Sequence, residues 1–102
     1  MAVKILIKRV VPKDKERALN PLIVQLRKLA KAQAGFMSGE TLRNVDLPEE
    51  FLVISTWESL EDWLEWCESP QRTEIQEQID SLLENKTEYS AYELSHRAEK
   101  SA

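Results

Sequence analysis

The sequence predicts an α+β domain of the ferredoxin-like type, in which helices cover one face of a four-stranded antiparallel sheet. Three observations predict it. Strand and helix patterns follow one another in the order β-α-β-β-α-α-β, and 102 residues suffice for one core only. Residues 51–57 are apolar on both faces, although a small antiparallel sheet normally buries one face. The chain is too short for another layer, so we expect a second subunit to cover the open face.

The first third of the chain predicts a strand and a long helix. In residues 3–11 an apolar odd face alternates with an even face that carries lysines, which is the period-two pattern of a strand. Residues 15–34 follow helical spacing, and Asp14 is available as a cap. Gly35 stands where a left-handed residue commonly ends a helix.

Pro21 complicates the predicted first helix. A proline has no N–H to bond back to Arg17, so the helical ladder is interrupted at this point. Two structures satisfy this constraint. The helix either kinks at Pro21, or it restarts there with Asn20 as its N-cap and the proline at the first position.

The middle of the chain predicts two strands joined by a turn. Residues 37–45 form the second strand, in which Gly39 indicates a bulge or a close backbone approach. A turn over residues 46–49 leads into residues 51–57, which are rich in the aromatic and β-branched types that favour strands.

Two helices and a strand complete the predicted domain. Ser59 and Asp62 approximate a capping box, which predicts a helix over residues 60–68. Ser69 and Pro70 begin the next helix. The predicted core faces of the two helices are Leu60, Trp63, Leu64 and Cys67, then Ile75, Ile79, Leu82 and Leu83. Residues 87–94 form the last strand, so the domain covers residues 1–94, and a polar tail follows over 95–102.

Composition and charge argue against several classes of protein. No apolar run approaches the ~20 residues that span a bilayer, and the first residues do not resemble a signal peptide. The single cysteine excludes an intramolecular disulfide and fits a cytoplasmic location. A net charge of −4 argues against nucleic-acid binding. Residues 1–43 carry ten basic and three acidic side chains, whereas residues 44–102 carry four basic and fifteen acidic ones. If two copies pack together, attraction between these oppositely charged parts could help to set their orientation.

Few side chains offer catalytic or metal-binding chemistry. The sequence has no glycine-rich phosphate loop and no His or Cys cluster at metal-ligand spacing, so no metal site is expected. His96 lies in the predicted tail, where a solvated side chain is expected. Cys67 lies on the predicted core face of its helix, where an inert, buried thiol is expected.

Trp66 is the side chain that the core pattern explains least well. It lies about 100° around the helix from the predicted core face, since an α-helix has 3.6 residues per turn. A tryptophan at such a position edges a ligand pocket, meets a second subunit or covers neighbouring surface, and the pattern alone leaves all three open.

A set of residues spread over most of the chain resembles the antibiotic biosynthesis monooxygenase family. These residues are Gly35, Phe36, Ser38, Gly39, Glu40, Trp57, Glu58, Ser59, Trp63, Trp66 and Ser69. The resemblance implies a homodimer whose two sheets join face to face as an α/β barrel. It also implies oxidation of an aromatic polyketide or quinol without metal or flavin, hence no cofactor, while one subgroup of the family degrades haem.

The resemblance also suggests site residues. Trp66 matches the family's pocket tryptophan, on the helix after the third strand. The haem-degrading members use an asparagine on strand one, where this chain has Ile7 or Lys8, and a histidine where it has Gln76, so the missing iron ligand counts against haem degradation. The polar side chains expected to approach the pocket are Lys8, Arg72, Tyr89 and Tyr92.

The sequence thus favours a dimeric oxygenase that acts on a small aromatic compound, with no catalytic residue identified. The alternative is a non-catalytic dimeric barrel protein that binds a small ligand or has a role in the stress response. A haem-handling protein is the third hypothesis.

Overall fold

The computed structural model describes residues 1–96, and its elements follow the predicted order. They are β1 (Val3–Val10), α1 (Glu16–Lys31), β2 (Phe36–Arg43), β3 (Glu50–Trp57), α2 (Leu60–Cys67), α3 (Pro70–Leu83) and β4 (Glu88–Glu93). The sheet has the order β2-β3-β1-β4, and every neighbouring pair is antiparallel. The predicted ferredoxin-like α+β fold is confirmed. Most of the predicted tail, from residue 97 onwards, lies outside the described residues.

The strand register separates a helix-covered face from an open face. Ile5 is opposite Ser55 on the covered face and is fully buried, as the odd-face pattern of β1 predicts. Leu6 is opposite Ile54 on the other face, where both side chains keep partial exposure. The described residues place no element over this second face, so the sheet is open on one side.

Helix α1 continues through Pro21 without a break, so the predicted alternative of a restart capped by Asn20 is wrong. The proline removes one backbone bond, but the helix on both sides packs its apolar stripe on the core. Asp14 does not cap the helix, because it lies in a 3-10 turn at Lys13–Lys15. The helix ends at Lys31, three residues before the predicted end, and Gly35 adopts a φ of 86° as predicted.

Of the two alternatives predicted for Gly39, a bulge or a close backbone approach, the bulge is wrong in position. Phe36 pairs with Trp57 and Ser38 pairs with Thr56, so the extra residue is Met37. Gly39 pairs regularly with Ser55. The irregularity coincides with Phe36, whose ring meets the Trp57 ring edge-on at 5.4 Å between centroids.

The predicted core face of helix α2 is confirmed for Trp63 and Cys67, which pack on the core, and wrong for Leu60 and Leu64. Leu60 and Leu64 are 41% and 51% exposed, whereas Trp63 and Trp66 are buried. The two indoles have more apolar area than the leucines, so burying them orients the short helix. The Ser59 cap is confirmed, since its Oγ accepts a hydrogen bond from the Asp62 backbone N–H at 3.1 Å.

Helix α3 buries its predicted face. Ile75, Ile79 and Leu83 are buried with Leu19 of α1 and Val11, while Leu82 is partly buried beside them. Ser69 caps the helix by accepting from the Arg72 backbone N–H at 3.4 Å. The sheet thus has one two-part core beneath α1, α2 and α3.

Candidate functional site

An aromatic cluster lies between α2 and the covered face of the sheet. Trp57 is its centre and is 1% exposed. The Trp66 ring stacks on it at 6.3 Å with 25° between the planes, and the Trp63 ring meets it more edge-on at 5.8 Å. Trp66, which is 4% exposed, therefore belongs to the core of this subunit. Its assignment as a pocket residue stays a prediction.

Arg72 and Tyr89 form the polar border of this cluster. Arg72 Nη2 donates a hydrogen bond to the Tyr89 hydroxyl at 2.8 Å. The guanidinium also lies 5.3 Å from the Tyr89 ring centroid and 5.8 Å from that of Trp63, which is within cation–π range. No ion pair joins Arg72 to a carboxylate within residues 1–96. The cation is thus held by aromatic and neutral groups.

Tyr89 is a neutral phenol at neutral pH. Burial raises its pKa, although the positive charge of Arg72 acts in the opposite direction. A protonated phenol that already accepts a hydrogen bond from Arg72 can still donate its own O–H to a ligand. Tyr89 can therefore orient a bound oxygen atom, but it is a poor proton acceptor.

Lys8 and Tyr92, two of the five predicted site residues, lie on the open face of the sheet. Lys8 Nζ is 2.8 Å from Glu50 Oε1, and this hydrogen bond raises the pKa of Lys8. Tyr92 is opposite Lys4 at the other end of the sheet. Tyr89 and Tyr92 are three positions apart in one strand, so they point to opposite faces. The structure brings Trp66, Arg72 and Tyr89 to one side and separates them from Lys8 and Tyr92.

Gln76, which the resemblance aligns with a histidine of the haem-degrading members, is buried and hydrogen-bonded through both its amide nitrogen and its oxygen. Its Nε2 donates to Asp80 Oδ1 and to Thr87 Oγ1, each at 2.9 Å, and its Oε1 accepts from Arg9 Nη2 at 3.5 Å. Gln76 thus connects the last turns of α3 to strand β1. Within residues 1–96, no three side chains of the His, Cys, Asp and Glu types are grouped to hold a metal ion.

Cys67 packs against the aromatic cluster, but its thiol does not have the properties of a nucleophile. Its side chain is partly buried, and burial raises the pKa of the thiol. The reactive thiolate is therefore scarce at neutral pH.

Sequence reasoning missed a cleft between α1 and the covered face of the sheet. The cleft has a volume of about 250 Å³, and three arginines line it: Arg9, Arg27 and Arg43. One signal was present in the sequence. Arg9 occupies an odd position of β1, where the alternation puts an apolar side chain, and a charge in a buried register often has a function.

The fold and the aromatic cluster define a small ferredoxin-like α+β domain with a core centred on Trp57. The model of the antibiotic biosynthesis monooxygenase family matches residues 2–78. The chain belongs to this family.

Solved structures of low sequence identity share the fold. A variant of SnoaB, a cofactor-independent oxygenase from Streptomyces nogalater, superposes with a TM-score of 0.82 at 13% identity, covering 97% of this chain and 98% of that one. A conserved protein from Methanosarcina mazei Go1 gives 0.81 at 18% identity, covering 90% and 91%. Rv0793 from Mycobacterium tuberculosis gives 0.81 at 18% identity, covering 97% and 100%. No curated protein matches the chain significantly. None of the helices in residues 1–96 has the length and hydropathy needed to cross a membrane.

Proposed function

We propose that the protein is a cofactor-independent monooxygenase that oxidises a small aromatic hydroquinone or polyketide-like phenol. Membership of the monooxygenase family supports the class of reaction. The observation that carries the proposal for this chain is the Arg72–Tyr89 pair beside the aromatic cluster. This pair offers one cation and one neutral phenol next to indole surface, which suits a planar phenolic substrate.

The proposed reaction uses the electrons of the substrate itself. In a phenol with an adjacent ring methylene, such as an anthrone, one methylene proton passes to solvent water, and the resulting carbanion reduces O₂ as a carbon–oxygen bond forms. The peroxide anion then takes a proton from water. The remaining methylene proton is lost as the O–O bond breaks, so the methylene becomes a carbonyl and the second oxygen atom leaves as water. The positive charge of Arg72 stabilises the anion that forms first. Tyr89 donates a hydrogen bond to the substrate oxygen.

Oxygen consumption tests this proposal. The purified chain, freed of metals with a chelator, is incubated with a panel of anthrones and quinols while dissolved O₂ is followed. We expect turnover with at least one substrate and a fall of about tenfold or more in Arg72→Gln, because an ionic hydrogen bond is lost. Arg17→Gln, a change on the exposed side of α1, serves as the control and should leave turnover unchanged. Absence of O₂ uptake across the panel would contradict the proposal.

The close packing of the aromatic cluster favours one alternative, a ligand-binding protein without catalysis. Trp66 stacks on Trp57 and fills space that a substrate would need beside them. Binding of an anthrone or quinol without product formation would support this alternative over the oxygenase.

We also propose that the protein is a homodimer in the cytoplasm, with the open sheet face as the interface. The lone cysteine suits a reducing compartment. The open face presents a band of apolar side chains between charged ones: Leu6, Val10, Leu42, Leu52 and Ile54. A continuous apolar band on a sheet is a feature of interaction surfaces. Its rim carries both Lys8 and Glu50, and two copies related by a two-fold axis could pair such charges.

Ile54→Lys should convert the dimer into a folded monomer. Ile54 is paired with Leu6 near the middle of the open face, so a buried lysine would face the partner subunit without a counter-charge. A single chain should still fold with this substitution, because the open face is in contact with water in the monomer. Light scattering should show twice the chain mass for the unmodified protein and the single mass for Ile54→Lys.

Val24→Lys is the matched control, because Val24 is exposed on α1 and lies away from the open face. It should keep the dimer. A single-chain mass for the unmodified protein at micromolar concentration would contradict the dimer proposal.

A further inference from the structure

We propose that the cleft lined by Arg9, Arg27 and Arg43, the arginine cleft, binds a small organic acid, holding its carboxylate on the arginines and its apolar body against the core. The site is separate from the Arg72–Tyr89 pair and needs no oxygen chemistry. Helix α1 forms one wall of the cleft, and β1, β2 and β3 form the other.

Arg9 is the feature of the cleft that structural packing explains least. Its side chain is 7% exposed, and its Nε, which is buried, has no hydrogen-bond partner among residues 1–96. Its Nη2 donates to Gln76 Oε1 at 3.5 Å, and Gln76 in turn donates to Asp80, so this carboxylate is linked to Arg9 through the amide and forms no ion pair with it among residues 1–96. A buried guanidinium remains charged, and holding such a charge without a carboxylate in direct contact is unfavourable. An incoming anion would supply the missing partner.

Two further arginines cross the mouth of the cleft. Arg27 on α1 donates to Thr41 Oγ1 on β2 at 2.8 Å, and Arg43 on β2 lies 3.4 Å from Glu16 Oε1 on α1. Both side chains are exposed, so these contacts can exchange for contacts with a ligand at little cost. Among residues 1–96, Glu16 is the only acidic side chain lining the cleft, so these residues give the lining a net charge of +2 from three arginines and one glutamate.

The remaining walls select an acid with an apolar body. The apolar lining consists of Val11, Leu19, Ile23, Phe51 and Val53. Inorganic phosphate would lose hydration against these side chains without compensation, whereas a ring would bury apolar area there. The volume of about 250 Å³ corresponds to roughly eight water molecules at ~30 Å³ each, which is room for a one- or two-ring compound. The planar guanidinium fork matches the geometry of a carboxylate.

Calorimetric titration of the full chain with 2-naphthoate tests the proposal. We expect binding, with backbone amide NMR shifts concentrated at Arg9, Leu19 and Val53. The neutral analogue 2-naphthalenemethanol and inorganic phosphate should each bind at least about tenfold more weakly than 2-naphthoate. The first lacks the carboxylate that the arginines bind, and the second lacks the apolar body. No detectable binding of 2-naphthoate, or equal binding of either comparison compound, would overturn the proposal.

Variants separate a binding role from a structural one. Arg9→Met should weaken 2-naphthoate binding about tenfold or more, while the unfolding temperature stays the same or rises, because an unpaired buried charge is replaced by an apolar side chain of similar length. Should Arg9→Met fail to fold, Arg27→Gln and Arg43→Gln at the exposed mouth decide the question, and each should weaken binding severalfold. Arg17→Gln, on α1 but outside the cleft, should bind as the unmodified chain does. Unchanged affinity in the folded cleft variants would overturn the proposal.

Discussion

Trp57→Ala should lower the free energy of unfolding by about 3–5 kcal/mol, the range for removing a buried aromatic side chain. Trp57 is 1% exposed, and the rings of Phe36, Trp63 and Trp66 all pack against it. The substitution would leave a cavity at the junction of β2, β3 and α2. Trp57 Nε1 also donates a hydrogen bond to the buried Ser55 hydroxyl at 3.2 Å, so the substitution would leave this hydroxyl without that donor.

Urea denaturation followed by circular dichroism at a fixed protein concentration measures this loss. Leu47→Ala is the control, because Leu47 is exposed in the turn before β3, and it should change stability by no more than about 0.5 kcal/mol. A loss below about 1 kcal/mol for Trp57→Ala would show that the aromatic cluster does not form the core described.

Gly35→Ala should destabilise the protein by about 1.5–4 kcal/mol through two effects. The first is backbone strain, because Gly35 has a φ of 86°, a conformation that an alanine adopts at a cost of about 1–2 kcal/mol. The second is a clash, because the added Cβ would lie 2.5 Å from Asp62 Cβ. Asp62 cannot move freely, since it and Ser59 cap α2 through paired hydrogen bonds. Loss of such a cap costs about 0.5–2 kcal/mol.

Gly39→Ala provides a matched comparison at a glycine of ordinary conformation. A Cβ at Gly39 would meet Phe36 Cζ at 3.6 Å, which is normal van der Waals contact. Alanine also has less backbone freedom to lose in a strand, so this change should be neutral or stabilise by about 0.5 kcal/mol. Equal unfolding midpoints for Gly35→Ala and Gly39→Ala would contradict the structural role given to Gly35.

The element order could be predicted from the sequence because each element carries its own local signal. The alternation in β1, the Ser59 cap and the Ser69-Pro70 start are all set by residues close in sequence. The errors arose where distant residues decide. The buried face of α2 depends on Trp63 and Trp66 packing against Trp57, and the bulge at Met37 coincides with the packing of Phe36 on the same ring.

The candidate site could be predicted only in part, for a similar reason. The helical angle and the resemblance both led to Trp66, and Arg72 and Tyr89 were two of the four polar side chains expected near the pocket. Tyr89 lies on the face of the sheet that the helices cover, whereas Lys8 and Tyr92 lie on the open face. The sheet register was needed to assign these faces. The arginine cleft is formed by side chains of α1, β1 and β2, so no local sequence pattern predicts it. Arg9, a charged residue on the otherwise apolar odd face of β1, was the one indication in the sequence.

Isotope labelling of the product tests the proposed oxygenase activity most directly. The chain is incubated under ¹⁸O₂ in ordinary water with the substrate that gives the fastest O₂ uptake, and the product is analysed by mass spectrometry. We predict that one heavy oxygen atom enters the new carbonyl group and that a metal chelator leaves this incorporation unchanged. A product whose new oxygen derives from H₂¹⁸O under ¹⁶O₂, or no oxygenated product at all, would contradict the proposed oxygenase activity.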